Sequence, residues 1–321
     1  MSMKTIVIGG AGYVGSAVVA ELHGRGHDVT VFDRMLFGAE SMLPYVQRER
    51  FRLRKGDIRD AAAVAEAIKG HEAVVLLAAI VGEPACNRDK DLARQTNLDG
   101  AMHVLDAAKQ AGVSRLVFAS TCSNYGVADT SKPVTETAPL NPISVYSETK
   151  VEAEQRILAT NGTLTPTVLR LSTAFGISPR MRFDLMVSDF TLAAVREKKV
   201  TIYGEQYWRP FVHVNDIATA IRMVLDADAD VVKQQVFNIG GDANNVTKLE
   251  LGELVRDEVP GSELAFVKQN QDPRSYRVDF TKVKEVLGFE PAWSIRDGVR
   301  ELRDALENDV WPDPMAPKYR N

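Results

Sequence analysis

Cysteine, histidine and any surplus of basic charge are scarce in this chain of 321 residues. Its two cysteines, Cys86 and Cys122, exclude a disulfide framework and fit a reducing cytoplasm. Neither has the close Cys or His neighbours that a zinc site needs, so no metal is expected. The 39 Lys and Arg stand against 43 Asp and Glu, a net charge of -4, and the basic residues are scattered singly. That leaves no footprint for nucleic acid or an anionic membrane. No apolar run approaches the length of a membrane span, and Ile6-Val7-Ile8 runs into glycines too soon for a signal sequence. No internal repeat is present. A soluble protein with a small-molecule partner is the expectation.

What is there is alternation. Short β-branched runs at 5–8, 28–32, 51–54, 73–77, 115–119 and 166–171 are separated by helical periodicity at 13–23, 61–69, 92–111 and 145–159. Repeated βα units of this kind predict an α/β fold, a Rossmann-like doubly wound parallel sheet with helices on both faces. After about Gly176 the pattern loosens, with turn signals such as Gly240-Gly241 and Asp272-Pro273. The expected division is a cofactor-binding domain over 1–175 and a smaller mixed α/β substrate domain mainly over 176–321. The boundary is discontinuous, because the apolar runs 212–214 and 236–239 read as late strands returning to the main sheet. The proline-rich end, Trp311-Pro312-Asp313-Pro314-Met315-Ala316-Pro317, reads as a tail.

Five local features carry chemistry. Gly9-Gly10-Ala11-Gly12-Tyr13-Val14-Gly15 follows a strand and opens a helix, so Gly9, Gly12 and Gly15 permit a tight turn and close diphosphate approach, with Tyr13 and Val14 in the first helical turn. Asp33, ending the second strand, suits the adenosine ribose hydroxyls and favours NAD over NADP, although Arg34 beside it partly offsets that preference. Asp57 and Ile58 follow the third strand, where the carboxylate can meet the adenine amino group or simply cap the next helix. Leu77, Ala78 and Ala79 leave room at the fourth strand's end. Finally, Tyr146 and Lys150 share a helix face at i, i+4 spacing, where an ammonium can lower the phenol's pKa and make it a proton shuttle. That spacing alone is common.

Taken together, the glycines, Asp57-Ile58, Leu77-Ala78-Ala79, the segment Ser120-Thr121-Cys122-Ser123-Asn124-Tyr125-Gly126 and Tyr146-x-x-x-Lys150 resemble the extended short-chain dehydrogenase/reductases, in their nucleotide-sugar epimerase and dehydratase branch. Later segments, Leu169-Arg170-Leu171, Trp208-Arg209-Pro210-Phe211-Val212-His213-Val214-Asn215-Asp216 and Arg274-Ser275-Tyr276, resemble the same branch. The resemblance implies NAD as cofactor, Tyr146 as acid/base, Lys150 as the residue that tunes it and holds the nicotinamide ribose, and Thr121 as hydrogen-bond partner of the reacting oxygen. Ser123 is the reserve for Thr121. Ser120 and Leu171 at strand ends join the cofactor residues, and Asn97 supports the site from the following helix. A homodimer built on the helices 92–111 and 145–159 as a four-helix bundle is also implied.

For the substrate, the resemblance implies a nucleotide-diphosphate sugar, with Arg209 on the diphosphate and Arg274 as a second arginine, although ungapped alignment puts Gln269 at that second place. His213 and Asp216 are read as fixing the turn into the next helix. Loops at Val81-Gly82 and at 179–185, which includes Arg182, are expected against the sugar and base, and Thr173 stands where many relatives have a substrate-binding asparagine. Hydride removal at the sugar's 4-position is the shared first step. A 4,6-dehydratase carries Asp-Glu directly after the catalytic threonine, where this chain has Cys122 and Ser123. The expected activity is therefore a 4-epimerase working through a transient 4-keto sugar. A 4-dehydrogenase or 4-keto reductase, for example on a GDP-heptose, is the alternative, and a non-catalytic NAD-binding regulator is remote.

Overall fold

The computed structural model describes residues 2–268 and 274–321. Gln269 and the Asp272-Pro273 turn lie outside the described residues. Twelve strands form among them: β1 Lys4–Ile8, β2 Asp28–Asp33, β3 Phe51–Lys55, β4 Ala73–Leu76, β5 Arg115–Thr121, β6 Thr165–Leu171, β7 Thr173–Phe175, β8 Lys199–Tyr203, β9 Trp208–His213, β10 Gln235–Ile239, β11 Asn245–Thr247 and β12 Glu263–Val267. Seven make one sheet in the order β10-β6-β5-β4-β1-β2-β3, and every pairing in it is parallel. Parallel strands covered on both faces must be apolar throughout, and Ile6, Val7, Ile8, Val74 and Val75 are all buried.

Helices α1 Tyr13–Gly24, α2 Ala61–Ile68, α3 Glu83–Arg88, α4 Lys90–Arg94, α5 Gly100–Gln110, α6 Val145–Leu158, α7 Met186–Glu197 and α8 Val214–Asp226 follow in chain order. One core packs α1 and α8 on one face of the sheet, and a second packs α2, α5 and α6 on the other. The chain leaves β1 toward β2 on one side and reaches β4 on the other. That reversal opens a crevice at the carboxyl ends of the strands, the place where doubly wound sheets bind ligands.

Three expectations change. β10 does return to the main sheet beside β6, but in the 212–214 run Val212 and His213 end β9, which pairs with β7 and β11 in a separate three-stranded sheet, and Val214 opens α8. The expected single helix over 92–111 is interrupted by a π-helical turn at Gln95–Asp99, a widening of the ladder that often accompanies functional sites. The C-terminal segment is no loose tail. Trp311 and Tyr319 both meet the ring of Phe183 edge-on, at 5.3 and 5.8 Å, and the Phe183 amide donates to the Tyr319 carbonyl at 3.0 Å.

Candidate active site

A cavity of about 830 Å³ occupies the crevice, and every sequence-predicted site residue except Asn97 lies on its wall. At one end is the glycine turn. Gly9 has φ +88, and a Cβ there would lie 2.6 Å from the Ala78 amide nitrogen, while one on Gly15 would lie 2.1 Å from the Gly9 carbonyl oxygen. The turn, the β4 end and α1 thus meet at backbone contact distance. Helix α1 starts from Gly12 with no side-chain cap, so its first amides remain available to an anion. Asp33 accepts from the amides of Ala11 at 3.1 Å and Met35 at 2.6 Å. Burial pushes its carboxyl up, and those two amides draw it back.

Asp57 does not cap the following helix; Asp60 does, accepting from the Ala62 and Ala63 amides. The Asp57 carboxylate instead takes a bidentate grip from Arg59 and attracts Arg34 at 3.6 Å. That hydrogen bond to Arg59 holds its carboxyl below the usual range. Arg34 therefore directs its guanidinium at Asp57. Asn97, on the π-turn, is buried with both amide atoms engaged: Oδ1 accepts from Ile80 N at 2.7 Å and Nδ2 donates to Ile80 O at 2.9 Å. It pins the loop after β4 and does not line the cavity. Its neighbour Thr96 does line it, with a buried hydroxyl that has no partner.

At the centre, β5 and α6 present Thr121, Tyr146 and Lys150. Ser144 caps α6 in a reciprocal pair with Ser147, which fixes the start of the helix at Val145. Deeper in α6, Glu154 accepts from Ser120 and grips Arg170 of β6, tying the helix to two strands. Thr121 Oγ1 accepts the Ser123 amide at 3.1 Å, which leaves its proton to donate elsewhere. Lys150 is 2% exposed, lies 4.7 Å from the Phe118 ring centroid and donates to the Ala119 carbonyl at 2.8 Å. Here the expected pKa effect is reversed. Burial dominates and pushes the Tyr146 phenol up to about 12, with the Thr121 hydrogen bond pulling the other way.

Burial also pushes the Lys150 ammonium down, from 10.5 to about 8. Between those values the unfolded chain keeps a proton that the folded protein has released, so stability rises with pH across that window and is flat below it. Lys150→Met should lack this slope. Denaturant midpoints at about pH 7.5 and about pH 9.5 check it: the parent gains on the variant at the higher pH, and a pH-independent difference contradicts the shift.

The far wall carries the arginines. Arg209 is buried, donates to the Trp208 and Arg274 carbonyls and sits 5.7 Å from the Tyr276 ring. Arg274 pairs with Glu83 at 3.5 Å. Arg182 is held bidentately by Asp184. Ser123 lies 3.4 Å from the Tyr276 hydroxyl, and Val81, Gly82, Leu171 and Thr173 complete this side. His213 caps α8 through the Asn215 amide, the role expected of it, whereas Asp216 accepts from Ala292 and Trp293 and ties α8 to that remote segment in place of fixing the turn. Cys122 is 1% exposed and off the wall; its thiol donates to the Arg170 carbonyl at 3.2 Å, and burial pushes it up to about 12. Sequence reasoning did not single out Phe37, Arg180, Lys248, Arg320 or Asn321, which also line the cavity.

A family model described as the NAD dependent epimerase/dehydratase family matches residues 5–240. The chain belongs to this family. Among the epimerase/dehydratase relatives, the UDP-glucose 4-epimerase of Lactobacillus helveticus is 31% identical over 313 residues, covering 90% of this chain and 92% of the relative. The UDP-glucuronic acid decarboxylase 1 of Arabidopsis thaliana is 29% identical over 96% of this chain and 71% of its own length. Among solved structures, the dTDP-glucose 4,6-dehydratase DesIV of Streptomyces venezuelae, with NAD and TYD bound, superposes with a TM-score of 0.86 at 28% identity, over 98% of this chain and 100% of that one. Family members are NAD-dependent enzymes on nucleotide sugars, and NAD is the cofactor. The cavity fits it: a glycine cradle that a single Cβ would fill, an uncapped helix N-terminus and a carboxylate at the second strand's end. Among the described residues no cluster of His, Cys, Asp or Glu could hold a metal, and no helix is long and apolar enough to cross a membrane.

Proposed function

We propose that this protein is an NAD-dependent nucleotide-sugar 4-epimerase acting through a transient 4-keto sugar. The observation that carries the reading is the contrast between two neighbours at the end of β5. Thr121 faces the cavity with a hydroxyl proton to give, whereas Cys122, where a dehydratase has its acid, is packed into the core. Elimination of water between C5 and C6 needs a further acid/base pair; inversion at C4 needs only that the keto sugar turn over and take the hydride back. Relatives at similar identity carry epimerase, decarboxylase and dehydratase names, and this site contrast argues against the dehydratase among them.

In this reading Tyr146 accepts the C4 hydroxyl proton and later returns it, while Thr121 donates a hydrogen bond to the same oxygen. Lys150 keeps a positive charge close to the phenol, and its remaining N–H groups are available to the nicotinamide ribose. NAD supplies a hydride acceptor and, when reduced, a donor. With its pKa pushed up to about 12, the phenol holds its proton near neutral pH and can take the C4 hydroxyl proton only as the phenolate, which positive charge gathered around it would make available. Arg209 and Arg274 are assigned to the substrate diphosphate, where guanidinium forks suit the geometry. The exposed sides of α5 and α6 are read as the dimer surface, which light scattering of the purified protein would check.

A panel of UDP-, GDP-, dTDP- and CDP-sugars followed by NMR tests the reading. The expected outcome is one pair of C4 epimers approached from both sides, with no net NADH. A 4-keto product accumulating with NADH would replace the epimerase by a dehydrogenase, and a 6-deoxy or decarboxylated product would replace it by those activities.

A further inference from the structure

The loop after β7 is strapped to the first turn of α1. Tyr13 donates its hydroxyl to the Gly176 carbonyl at 2.7 Å, Ser178 Oγ donates to the Tyr13 carbonyl at 2.7 Å, and Ser178 Oγ lies 2.8 Å from Ser16 Oγ. Two residues further on, Arg180 lies on the cavity wall and is only 7% exposed. Its guanidinium stacks 4.0 Å from the Phe37 ring centroid, its Nη2 donates to Asn321 Oδ1 at 2.8 Å, and its buried Nε has no hydrogen-bond partner. Asp33 and Asp184 both attract it, but Asp33 accepts from Ala11 and Met35, and Asp184 from Arg182 and the Asn321 amide. Arg182 adds a second, like charge. A buried cation so placed is costly without an anion, and it sits beside the helix N-terminus that the dinucleotide's diphosphate approaches.

We propose that Arg180 is a second ligand of the NAD diphosphate, acting with the α1 N-terminus, and that Asn321 braces its guanidinium for that contact. The Arg180 end of the 179–185 loop thereby belongs to the cofactor, not to the sugar and base. The proposal rests on the family's cofactor and not on the sugar chemistry, so an absence of epimerase activity leaves it standing.

Calorimetry on the full chain freed of nucleotide, titrated with NAD, ADP-ribose, adenosine and UDP, tests it. Arg180→Gln should weaken NAD and ADP-ribose about 10- to 100-fold, the equivalent of a lost charge-assisted hydrogen bond. Adenosine, which lacks phosphate, and UDP should stay within about twofold, and Arg180→Lys should recover part of the loss. Should Arg180→Gln fail to fold, Asn321→Ala removes only the brace and should weaken ADP-ribose about threefold, the worth of a modest hydrogen bond, with adenosine unchanged. Unchanged ADP-ribose affinity overturns the proposal. An equal loss for adenosine makes Arg180 a wall of the ribose pocket, and a loss for UDP alone gives it to the substrate; either result also overturns it.

Discussion

Tyr146→Phe is expected to cut turnover by about 10²- to 10⁴-fold, the range that a positioned acid/base contributes, while NAD still binds. The phenol stands on the cavity wall beside Thr121, and its oxygen is what the substitution removes. The helix that carries it is held independently by the Ser144 cap and by Glu154 bonded to Ser120 and Arg170. Folding should therefore survive, and the loss should fall on kcat more than on KM. Steady-state kinetics with the epimer pair, alongside calorimetry with NAD, separate the two. Turnover within about tenfold of the parent would remove Tyr146 from the chemistry.

Gly15→Ala should act at the other end of the cavity and through the cofactor. Its new methyl would have to lie 2.1 Å from the Gly9 carbonyl oxygen and 2.7 Å from Gly10 Cα, and these are backbone atoms that cannot swing aside. Parting α1 from the glycine turn should weaken NAD binding roughly 10- to 100-fold, equivalent to about 1.4–2.8 kcal/mol. Overpacking of this kind should also lower folding stability by about 1–3 kcal/mol. Gly24→Ala, at the far end of the same helix with nothing within 4 Å of its Cβ position, is the control. It should leave NAD binding alone and change stability by less than about 1 kcal/mol. Calorimetry and denaturant curves on both variants decide the matter, and equal NAD affinity for Gly15→Ala and the parent would contradict the cradle.

Legibility in the sequence followed the range of the forces involved. The strands of the main sheet and the glycine turn are written in consecutive residues, so β1 to β6 and the cofactor end of the cavity were readable. The run 212–214 looked equally apolar, but β9, which it ends, pairs with β7 and β11, remote in sequence, and apolar content alone does not choose a sheet. The π-turn at Gln95–Asp99 left no propensity signal, and the hydrogen bonds by which Asn97 braces Ile80 from it were not readable. The C-terminal segment was read from its prolines, which do prevent a long helix. What they could not report is that Phe183 offers a ring to both Trp311 and Tyr319.

The same limit explains the reversed pKa of Tyr146. Spacing in a helix places the ammonium and the phenol on one face, and from that alone a lowered pKa follows. Burial depends on what β5, α3 and the later segments pack around them, and it moves both groups toward their neutral forms. Arg180 is the other case: its partner Asn321 is 141 residues away in sequence, and its place beside α1 depends on the Tyr13 and Ser178 hydrogen bonds.

The most direct test of the account follows the hydrogen on C4. A nucleotide sugar deuterated at that carbon, once the substrate pair is known, should be converted to its epimer with the deuterium still on C4, none of it in solvent and none resident in NADH. Deuterium appearing at C6 or in accumulated NADH would contradict epimerisation by transient oxidation at C4, as would its loss to water.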